Sequence, residues 1–421
     1  MRILPQILIP GGPSFGVQTT PRPSRRHGSH FSGLPFLLGR GLNAACPVLG
    51  LDARTPHYII GPMSGDAEPA PKVLEDLIAR ASAAGASDIH LQMHSEEAEL
   101  SLRLDGVMTS LESIPRDLAE RVFGRIKFLS RLKTYQESLP QDGRIDAASV
   151  GSASDIRVAT YPTVTGEKIV LRLFTETAVI PLGELGFPSP AVDEMEGVLS
   201  RGAGMMLLTG PAGSGKTTTI YACLERLASD GGRHIISVED PVERILQGVM
   251  QTEINEARGL DFATAARHLM RQDPEVIVIG EIRDGETAAV AVRAALTGHM
   301  VISTLHAGSC RGVFERLLVI CEDRDAAISS LEFVINQRLV RRLCSACSGS
   351  GCPACLSTGY HGRLPVVEWL RVEDGHRRSA RSGDLDAIRP AAVLADAARD
   401  LVAAGLTGES ECQRVFGWAE K

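Results

Sequence analysis

The hydrophobic positions follow a different pattern in the two halves of the chain. In the first half, apolar residues repeat at helical spacing and then alternate with polar residues, as in a half-buried strand. The residues that carry this pattern are Val73, Leu77, Ile78, Leu100, Leu102 and Leu104. A helix is expected near residues 115–132, and strands are expected at 155–161 and 168–174. Helices combined with strands of alternating apolar and polar residues predict a small α+β domain over residues 71–178.

In the second half, short runs that are apolar throughout alternate with amphipathic helices. The runs are MMLLT, HIISVED, VIVIGEI and MVISTLH, and the helices are expected from Gly215, near 262–272 and over 285–297. Strands of this kind, separated by helices, predict a parallel sheet that is covered on both faces. The predicted fold class is therefore α/β over residues 191–421, after a linker rich in proline and glycine at 179–190.

Residues 1–70 show no sustained helical or strand period and are rich in Pro, Gly, Ser and Arg. We interpret them as an unstructured extension, or as sequence that precedes a true start at Met63. A targeting peptide is disfavoured, because a charged start, an apolar block and a cleavage site do not occur in that order.

Charge and apolar run length restrict the expected partners. Residues 1–62 carry a charge of +5, which leaves −12 on the rest of the chain. This acidic balance disfavours nucleic acid as a partner. No apolar run reaches the roughly 18 residues of a membrane-spanning helix, so any membrane association is expected to be peripheral.

The segment GPAGSGKT fits the phosphate-binding loop G-x-x-x-x-G-K-[ST] and stands between a predicted strand and a predicted helix. In such a loop the backbone N–H groups wrap the phosphates, the lysine reaches the β- and γ-phosphates, and the Ser/Thr hydroxyl binds Mg²⁺. We predict that Thr217 holds Mg²⁺. The predicted nucleotide-binding residues are Gly210, Gly213, Ser214, Gly215, Lys216, Thr217 and Thr218.

Carboxylates follow two of the predicted strands. Glu281 ends the run VIVIG, where a carboxylate can reach the water of the metal or polarise the attacking water. Glu239, Asp240 and Glu243 end another strand, at the edge where α/β sheets bind ligands. We predict that Glu281 and Glu243 act in catalysis and that Glu239 contacts the nucleotide. The alternative for any one of these acids is a solvated loop charge.

Four of the nine cysteines form the pattern C-x₂-C-x₄-C-x₂-C, and they are Cys344, Cys347, Cys352 and Cys355. Four thiolates suit a closed, structural Zn²⁺ site. Labile disulfides and reduced thiols are the alternatives. The odd number of cysteines and their scatter favour reduced thiols with one metal site over a secreted disulfide framework.

Four segments of the chain resemble, in the same order and at matching spacing, the secretion ATPases that power type II secretion and type IV pilus assembly. The segments are GPAGSGKTT, IISVEDPVE, RQDPEVIVIGEIRDGETA and ALTGHMVISTLH. The resemblance covers about residues 71–370. QRLVRRLC with two C-x-x-C pairs and GYHGR is similar to the assembly-type branch, although the two pairs are closer together here than in that branch.

This resemblance implies a homo-hexameric ring in which each subunit joins a PAS-like domain to a RecA-like motor domain, with ATP between them. It also implies a polytopic inner-membrane platform protein as partner, pilin-like subunits as indirect partners, and a location at the cytoplasmic face of the inner membrane. A slow nucleotide-gated scaffold and a nucleic-acid uptake or conjugation motor are the alternatives.

The resemblance also implies roles for histidines and arginines. His299 and His306 match a histidine box, in which His299 is expected to contact the nucleotide and His306 to sense the γ-phosphate. Three segments of the smaller domain supply matching arginines, namely Arg144, Arg157 and Arg172. We expect Arg144 and Arg157 to act in catalysis, because an arginine delivered from another domain or subunit spreads the charge of the transferring phosphoryl group.

Overall fold

The computed structural model describes residues 69–173 and 178–417. The interpretation of residues 1–68 as an extension therefore lies outside the described residues. Within these two ranges, no helix is long and apolar enough to cross a membrane. The described strands form two sheets, one in the first range and one in the second.

The first sheet has six antiparallel strands in the order β3-β2-β1-β6-β5-β4. They are β1 (Asp88–Met93), β2 (Glu97–Leu104), β3 (Val107–Pro115), β4 (Gln141–Ile145), β5 (Ile156–Thr163) and β6 (Gly166–Leu173). Asp105 and Gly106, with φ values of 48° and 85°, make the two-residue turn between β2 and β3. This turn needs φ above zero at both residues, which Asp and Gly tolerate well.

Two helices cover one face of this sheet, α1 (Ala70–Ala83) and α2 (Arg116–Leu129). The predicted apolar positions of α1, Val73, Leu77 and Ile78, are all buried in a core shared with the strands. The other face of the sheet carries polar and charged residues. One face of this domain is therefore available to a ligand or to another domain.

The second sheet has seven strands in the order β13-β12-β7-β11-β10-β8-β9, and only β12 and β13 pair antiparallel. They are β7 (Gly204–Thr209), β8 (Ile235–Glu239), β9 (Val249–Glu253), β10 (Val276–Ile279), β11 (Met300–Thr304), β12 (Leu331–Leu343) and β13 (Tyr360–Arg371). The predicted parallel sheet is thus present.

Helices cover both faces of this sheet. They are α3 (Ser189–Arg201), α4 (Lys216–Ser229), α5 (Phe262–Leu269), α6 (Gly285–Leu296), α7 (Cys310–Ile320), α8 (Arg324–Ser330), α9 (Asp374–Ser382), α10 (Leu394–Ala403) and α11 (Glu409–Phe416). Alternate residues of β7 enter opposite cores: Met205 and Leu207 pack with α5 to α8, whereas Met206 and Leu208 pack with α3 and α4. This is why the strand is apolar at every position.

The parallel pairing places the ends of four strands at one edge of the sheet. Strands β7, β11, β10 and β8 are adjacent and run in the same direction. The loops that follow them carry the phosphate-loop residues, His306, Glu281 and the acids after Glu239. The predicted site residues that follow strands therefore meet along one edge.

Candidate active site

The phosphate loop connects β7 to α4 and depends on three glycines. Gly210, Gly213 and Gly215 have φ values of 140°, 73° and 92°, which side chains disfavour. A Cβ atom on Gly210 would lie 2.4 Å from the backbone oxygen of Gln337. Glycine is therefore required there by the neighbouring strand as well as by the turn.

Lys216 is the first residue of α4, and its ammonium group lies over the loop. Its Nζ donates to the carbonyl oxygens of Gly210, at 2.8 Å, and of Pro211, at 2.9 Å. Burial lowers the pKa of Lys216, and the carboxylate of Glu281 opposes that shift. The ammonium thus lies where phosphate oxygens can replace the two carbonyls.

The rest of the loop also fits a triphosphate with Mg²⁺. Ser214 is buried, and its hydroxyl has no hydrogen-bond partner among the described residues. Thr217 and Thr218 line the same pocket as Lys216, and the pocket has a volume of about 480 Å³. Ser214 itself does not line that pocket, so the hydroxyls available to a phosphate oxygen or its metal are those of Thr217 and Thr218.

Glu281 is held between the side chains of His306 and Arg283. Its Oε1 lies 2.8 Å from Nε2 of His306, and its Oε2 accepts a hydrogen bond of 2.6 Å from Nε of Arg283. The loop of His306 is fixed to the end of β7, because the hydroxyl of Thr209 donates to the oxygen of Ala307 and accepts from its N–H, both at 2.8 Å. The carboxylate is thereby fixed close to the phosphate loop.

Glu239 lines the pocket but is buried in a closed hydrogen-bond network. Its two oxygens accept hydrogen bonds from the Ser237 hydroxyl at 2.6 Å, the Tyr221 hydroxyl at 2.5 Å and Nε2 of Gln251 at 2.9 Å. Burial and the bond to Glu239 raise the pKa of Tyr221 far above its usual value. With three donors already present, this carboxylate is built to hold the loop after β8.

Glu243 lies in the loop after β8, and its pKa is affected by charged residues of the first sheet. Burial and the charge of Glu239 raise the pKa of Glu243, whereas Arg172 and Arg157 act in the opposite direction. Arg157 and Arg172 stand directly opposite each other on β5 and β6. The polar face of the first sheet therefore carries two arginines whose charge acts on Glu243, although neither arginine lines the pocket itself.

These arginines belong to a row that crosses five strands. Direct cross-strand pairs place all members on one face of the sheet, and they are Arg144, Arg157, Arg172, Asp88 and Arg103. Asp88 is buried and accepts a hydrogen bond of 3.0 Å from Nε of Arg172. Of the three arginines that the sequence suggests, Arg172 is held by Asp88 and Arg144 by Asp155, and we did not expect a catalytic role for Arg172.

Five of the predicted site residues do not line the pocket of their own chain: Gly210, Ser214, Arg144, Arg157 and His299. Arg144 forms an ion pair with Asp155 and does not line the pocket. His299 precedes β11, at the sheet edge opposite the phosphate loop, and its Nδ1 lies 3.0 Å from the oxygen of Ala294 and 3.1 Å from the Thr297 hydroxyl. The strand separates His299 from the phosphate loop of its own chain, and the expected contact of His299 with the nucleotide stays a prediction.

Two residues of the site were not singled out from the sequence, Tyr221 and Arg283. Arg283 lies inside the quoted segment GEIRDGETA, and its hydrogen bond to Glu281 raises its pKa. Tyr221 is about one turn along α4 from the phosphate loop, and its side chain is buried. Only the position of Glu239 on the next strand reveals its role.

The four predicted cysteines form one cluster away from this pocket. All four Sγ atoms lie within 4.8 Å of one another, and neighbouring Sγ atoms are 3.7 to 3.8 Å apart. Four sulfurs at about 2.3 Å from a tetrahedral zinc ion would be about 3.8 Å apart, so the cluster fits that ion. A disulfide needs about 2.05 Å, and these four cysteines form none.

Close backbone approach brings the two cysteine pairs together. A Cβ atom on Gly359 would lie 2.4 Å from the backbone oxygen of Gly349. Gly349, Gly351 and Gly359 have φ values of 93°, 88° and 77°. The glycines around the cysteines are thus needed for the geometry of the cluster.

A glycine loop at the end of a parallel strand, a lysine over it and a clamped carboxylate beside it define a P-loop ATPase. The family model "Type II/IV secretion system protein" matches residues 64–414. Type II secretion system protein E of Klebsiella pneumoniae is 36% identical over 382 residues, which cover 84% of this chain and 77% of that protein. Type II secretion system ATPase E of Vibrio cholerae is 36% identical over 384 residues, which cover 84% and 76%. The chain belongs to the type II/IV secretion system protein family.

Solved structures agree on the fold. The pilus retraction motor PilT with bound ADP gives a TM-score of 0.58 at 25% identity, over 81% of this chain and 96% of that chain. The ATPase DotB of Legionella pneumophila gives 0.65 at 19% identity, over 85% and 98%. The predicted fold class, a RecA-like motor domain preceded by a smaller PAS-like domain, is confirmed. The family and the ATPase activity of a secretion or pilus motor are confirmed as well.

Replacing Tyr221 by Phe tests the network around Glu239. The backbone N–H groups of Glu243 and Arg244 bond to the Tyr221 hydroxyl at 3.1 and 3.3 Å, and Phe removes that acceptor. A lost buried hydrogen bond of about 1–3 kcal/mol predicts that these two amides exchange about tenfold faster or more in hydrogen–deuterium exchange. Tyr161→Phe, at an exposed position of β5, is the control. Unchanged exchange in Tyr221→Phe would contradict the network.

Proposed function

We propose that this ATPase works as a homo-hexameric motor at the cytoplasmic face of the inner membrane. There it powers assembly of a type II secretion pseudopilus or a type IV pilus through a polytopic platform protein, which in turn adds pilin-like subunits. The observation that carries the proposal is that Lys216, Glu281 and Glu243 line one pocket, and that two arginines of the first sheet act electrostatically on Glu243. A site built from both domains couples hydrolysis to domain movement.

The proposed roles follow from the contacts. Lys216 binds the β- and γ-phosphates, and Thr217 supplies a hydroxyl to Mg²⁺, which neutralises charge on the phosphates when bound. Glu281 orients the attacking water, and His306 holds Glu281 and lies where the γ-phosphate would be sensed. Because His306 bonds to Glu281 at 2.8 Å, a γ-phosphate that attracts His306 also changes the position of the carboxylate.

Arg157 and Arg144 are proposed to act on the transferring phosphoryl group from different positions. Arg157 is near enough to Glu243 to lower the pKa of that carboxyl within its own chain. Arg144 is held by Asp155 outside the pocket of its own chain. We therefore assign Arg157 to the site of its own subunit and Arg144 to the site of a neighbouring subunit in the ring.

Variants of Lys216 and Glu281 distinguish ATP binding from ATP hydrolysis. Lys216→Ala is expected to abolish ATP binding, because the loop loses its cation. Glu281→Gln keeps the size of the side chain and is expected to bind ATP normally while turnover falls at least about 100-fold, since the group that acts on the water is lost. Equilibrium binding of ATP and steady-state phosphate release measure the two effects. Normal turnover in Glu281→Gln would favour the slow scaffold or another catalytic carboxylate.

Mixed rings test the assignment of Arg144. We expect Arg144→Ala and Lys216→Ala to be nearly inactive alone, and their mixture to recover part of the ATPase rate, because Lys216→Ala subunits still supply Arg144 to intact neighbouring pockets. The rate is measured against protein concentration, with light scattering on the same samples to detect hexamers. A mixture no more active than its parts would place Arg144 in its own subunit, or show that no ring forms.

The cysteine cluster is proposed to hold one structural Zn²⁺. Elemental analysis of the purified chain should give one zinc per subunit, and Cys347→Ser should lose the metal and lower the thermal midpoint of unfolding. Cys223→Ser is the control, because that buried thiol lies in another core. A metal-free chain whose mass corresponds to two disulfides would overturn the assignment.

A further inference from the structure

The nucleotide pocket continues past the phosphate loop to β12 and β13, and the residues there have no role in the site described above. Leu339 of β12 and Arg363 of β13 line the same pocket as Lys216 and Glu281. In the sheet, β12 pairs with β7 on the side away from β11 and β10. Leu339 and Arg363 therefore face the loop from the side opposite Glu281 and His306.

The positions of the catalytic groups determine which end of the nucleotide lies at β12 and β13. Hydrolysis needs the γ-phosphate beside Lys216 and Glu281, so the nucleoside must extend away from Glu281. The two methyl carbons of Leu339 would lie 3.7 and 3.8 Å from a Cβ atom on Gly215. An apolar surface thus directly follows the loop on the side where the nucleoside must lie.

Arg363 is placed to complete this surface. It stands opposite Arg341, and the two differ in their surroundings. The guanidinium of Arg341 lies 2.8 Å from Glu411 and 4.0 Å from the centre of the Tyr360 ring. Arg363 is exposed, has no ion pair with any described residue and lines the pocket. The guanidinium of Arg341 is therefore already engaged by Glu411 and Tyr360, whereas that of Arg363 is available to a ligand.

We propose that Arg363 and Leu339 bind the nucleoside end of ATP, with the planar guanidinium against the base and the leucine side chain beside it. An arginine stacks on an aromatic ring through its planar, weakly hydrated cation. Every base has such a face, so these contacts add affinity without selecting strongly among bases. The inference rests on the nucleotide site proposed above.

The first domain holds the strand segment that carries Arg363. The N–H of the preceding residue, Gly362, donates to Oδ2 of Asp105 at 2.8 Å, and Asp105 lies in the turn between β2 and β3. Leu356, next to Cys355 of the cysteine cluster, packs against the core of the first domain. Asp105 is therefore a positioning residue, and movement of the first domain would move Arg363.

Binding of ADP and of inorganic tripolyphosphate to the full chain separates the nucleoside from the phosphates. Arg363→Ala should weaken ADP binding about 3- to 30-fold, the range for a cation over an aromatic ring, and leave tripolyphosphate binding unchanged. Arg342→Ala, at an exposed neighbouring position outside the pocket, is the control and should change neither. Titration calorimetry measures both ligands.

The other possible results distinguish failure of the nucleoside assignment from failure of the proposed nucleotide site. If Arg363→Ala weakens ADP and tripolyphosphate equally, Arg363 binds phosphate and the nucleoside assignment is wrong. If it weakens neither, the residue does not contact the nucleotide. Failure of the unmodified chain to bind either ligand would instead overturn the proposed nucleotide site itself.

Two replacements of Asp105 test the link between domains. Asp105→Asn keeps the turn and an oxygen that accepts from Gly362, whereas Asp105→Gly keeps the turn but removes the acceptor. We expect Asp105→Gly to weaken ADP binding about 2- to 10-fold, the range for the net contribution of one typical hydrogen bond, without changing tripolyphosphate binding. Asp105→Asn should bind both ligands as the unmodified chain does. Equal ADP affinity in the two variants would show that the link does not position Arg363.

Discussion

The parallel pairing of β7, β11, β10 and β8 is the constraint on which the site depends. Each of these strands is followed by a loop that carries one part of the chemistry, and parallel pairing in adjacent positions brings the four loops to one edge. The strands are buried on both faces, so they cannot shift in register without moving whole apolar rows out of two cores. The positions of Lys216 and Glu281 relative to each other are therefore determined by the same packing that stabilises the domain.

The carboxylates at this edge have different tasks because they have different neighbours. Glu239 is buried and saturated by three donors, so it stabilises the loop that carries Glu243. Glu281 is partly exposed and is held by His306 and Arg283, both of which also face the pocket. A carboxylate held by groups that can themselves respond to a phosphate is suited to act during turnover. Glu239 is held instead by Ser, Tyr and Gln side chains, which suits it to hold the loop in place.

The two domains interact on both sides of the nucleotide pocket, through charge on one side and through a hydrogen bond on the other. On one side, the arginine row of the first sheet acts on Glu243. On the other side, the turn at Asp105 binds Gly362, one residue before Arg363. The cysteine cluster adds to the second contact through Leu356, and its own geometry depends on the close approach of Gly359 to Gly349. A change in domain position would therefore affect both ends of the pocket.

The sequence by itself determined what depends on neighbouring residues. The phosphate loop, the alternation of buried strands with helices and the spacing of the four cysteines are all local, because backbone conformation and periodicity act within a few residues. Only the tertiary structure decided which distant residues meet. It placed Tyr221 on Glu239 and Arg283 on Glu281. It also paired Arg172 with Asp88 and Arg144 with Asp155, and put His299 at the far edge of the sheet. These outcomes depend on strand order and register between segments far apart in the chain, and no single segment contains that information.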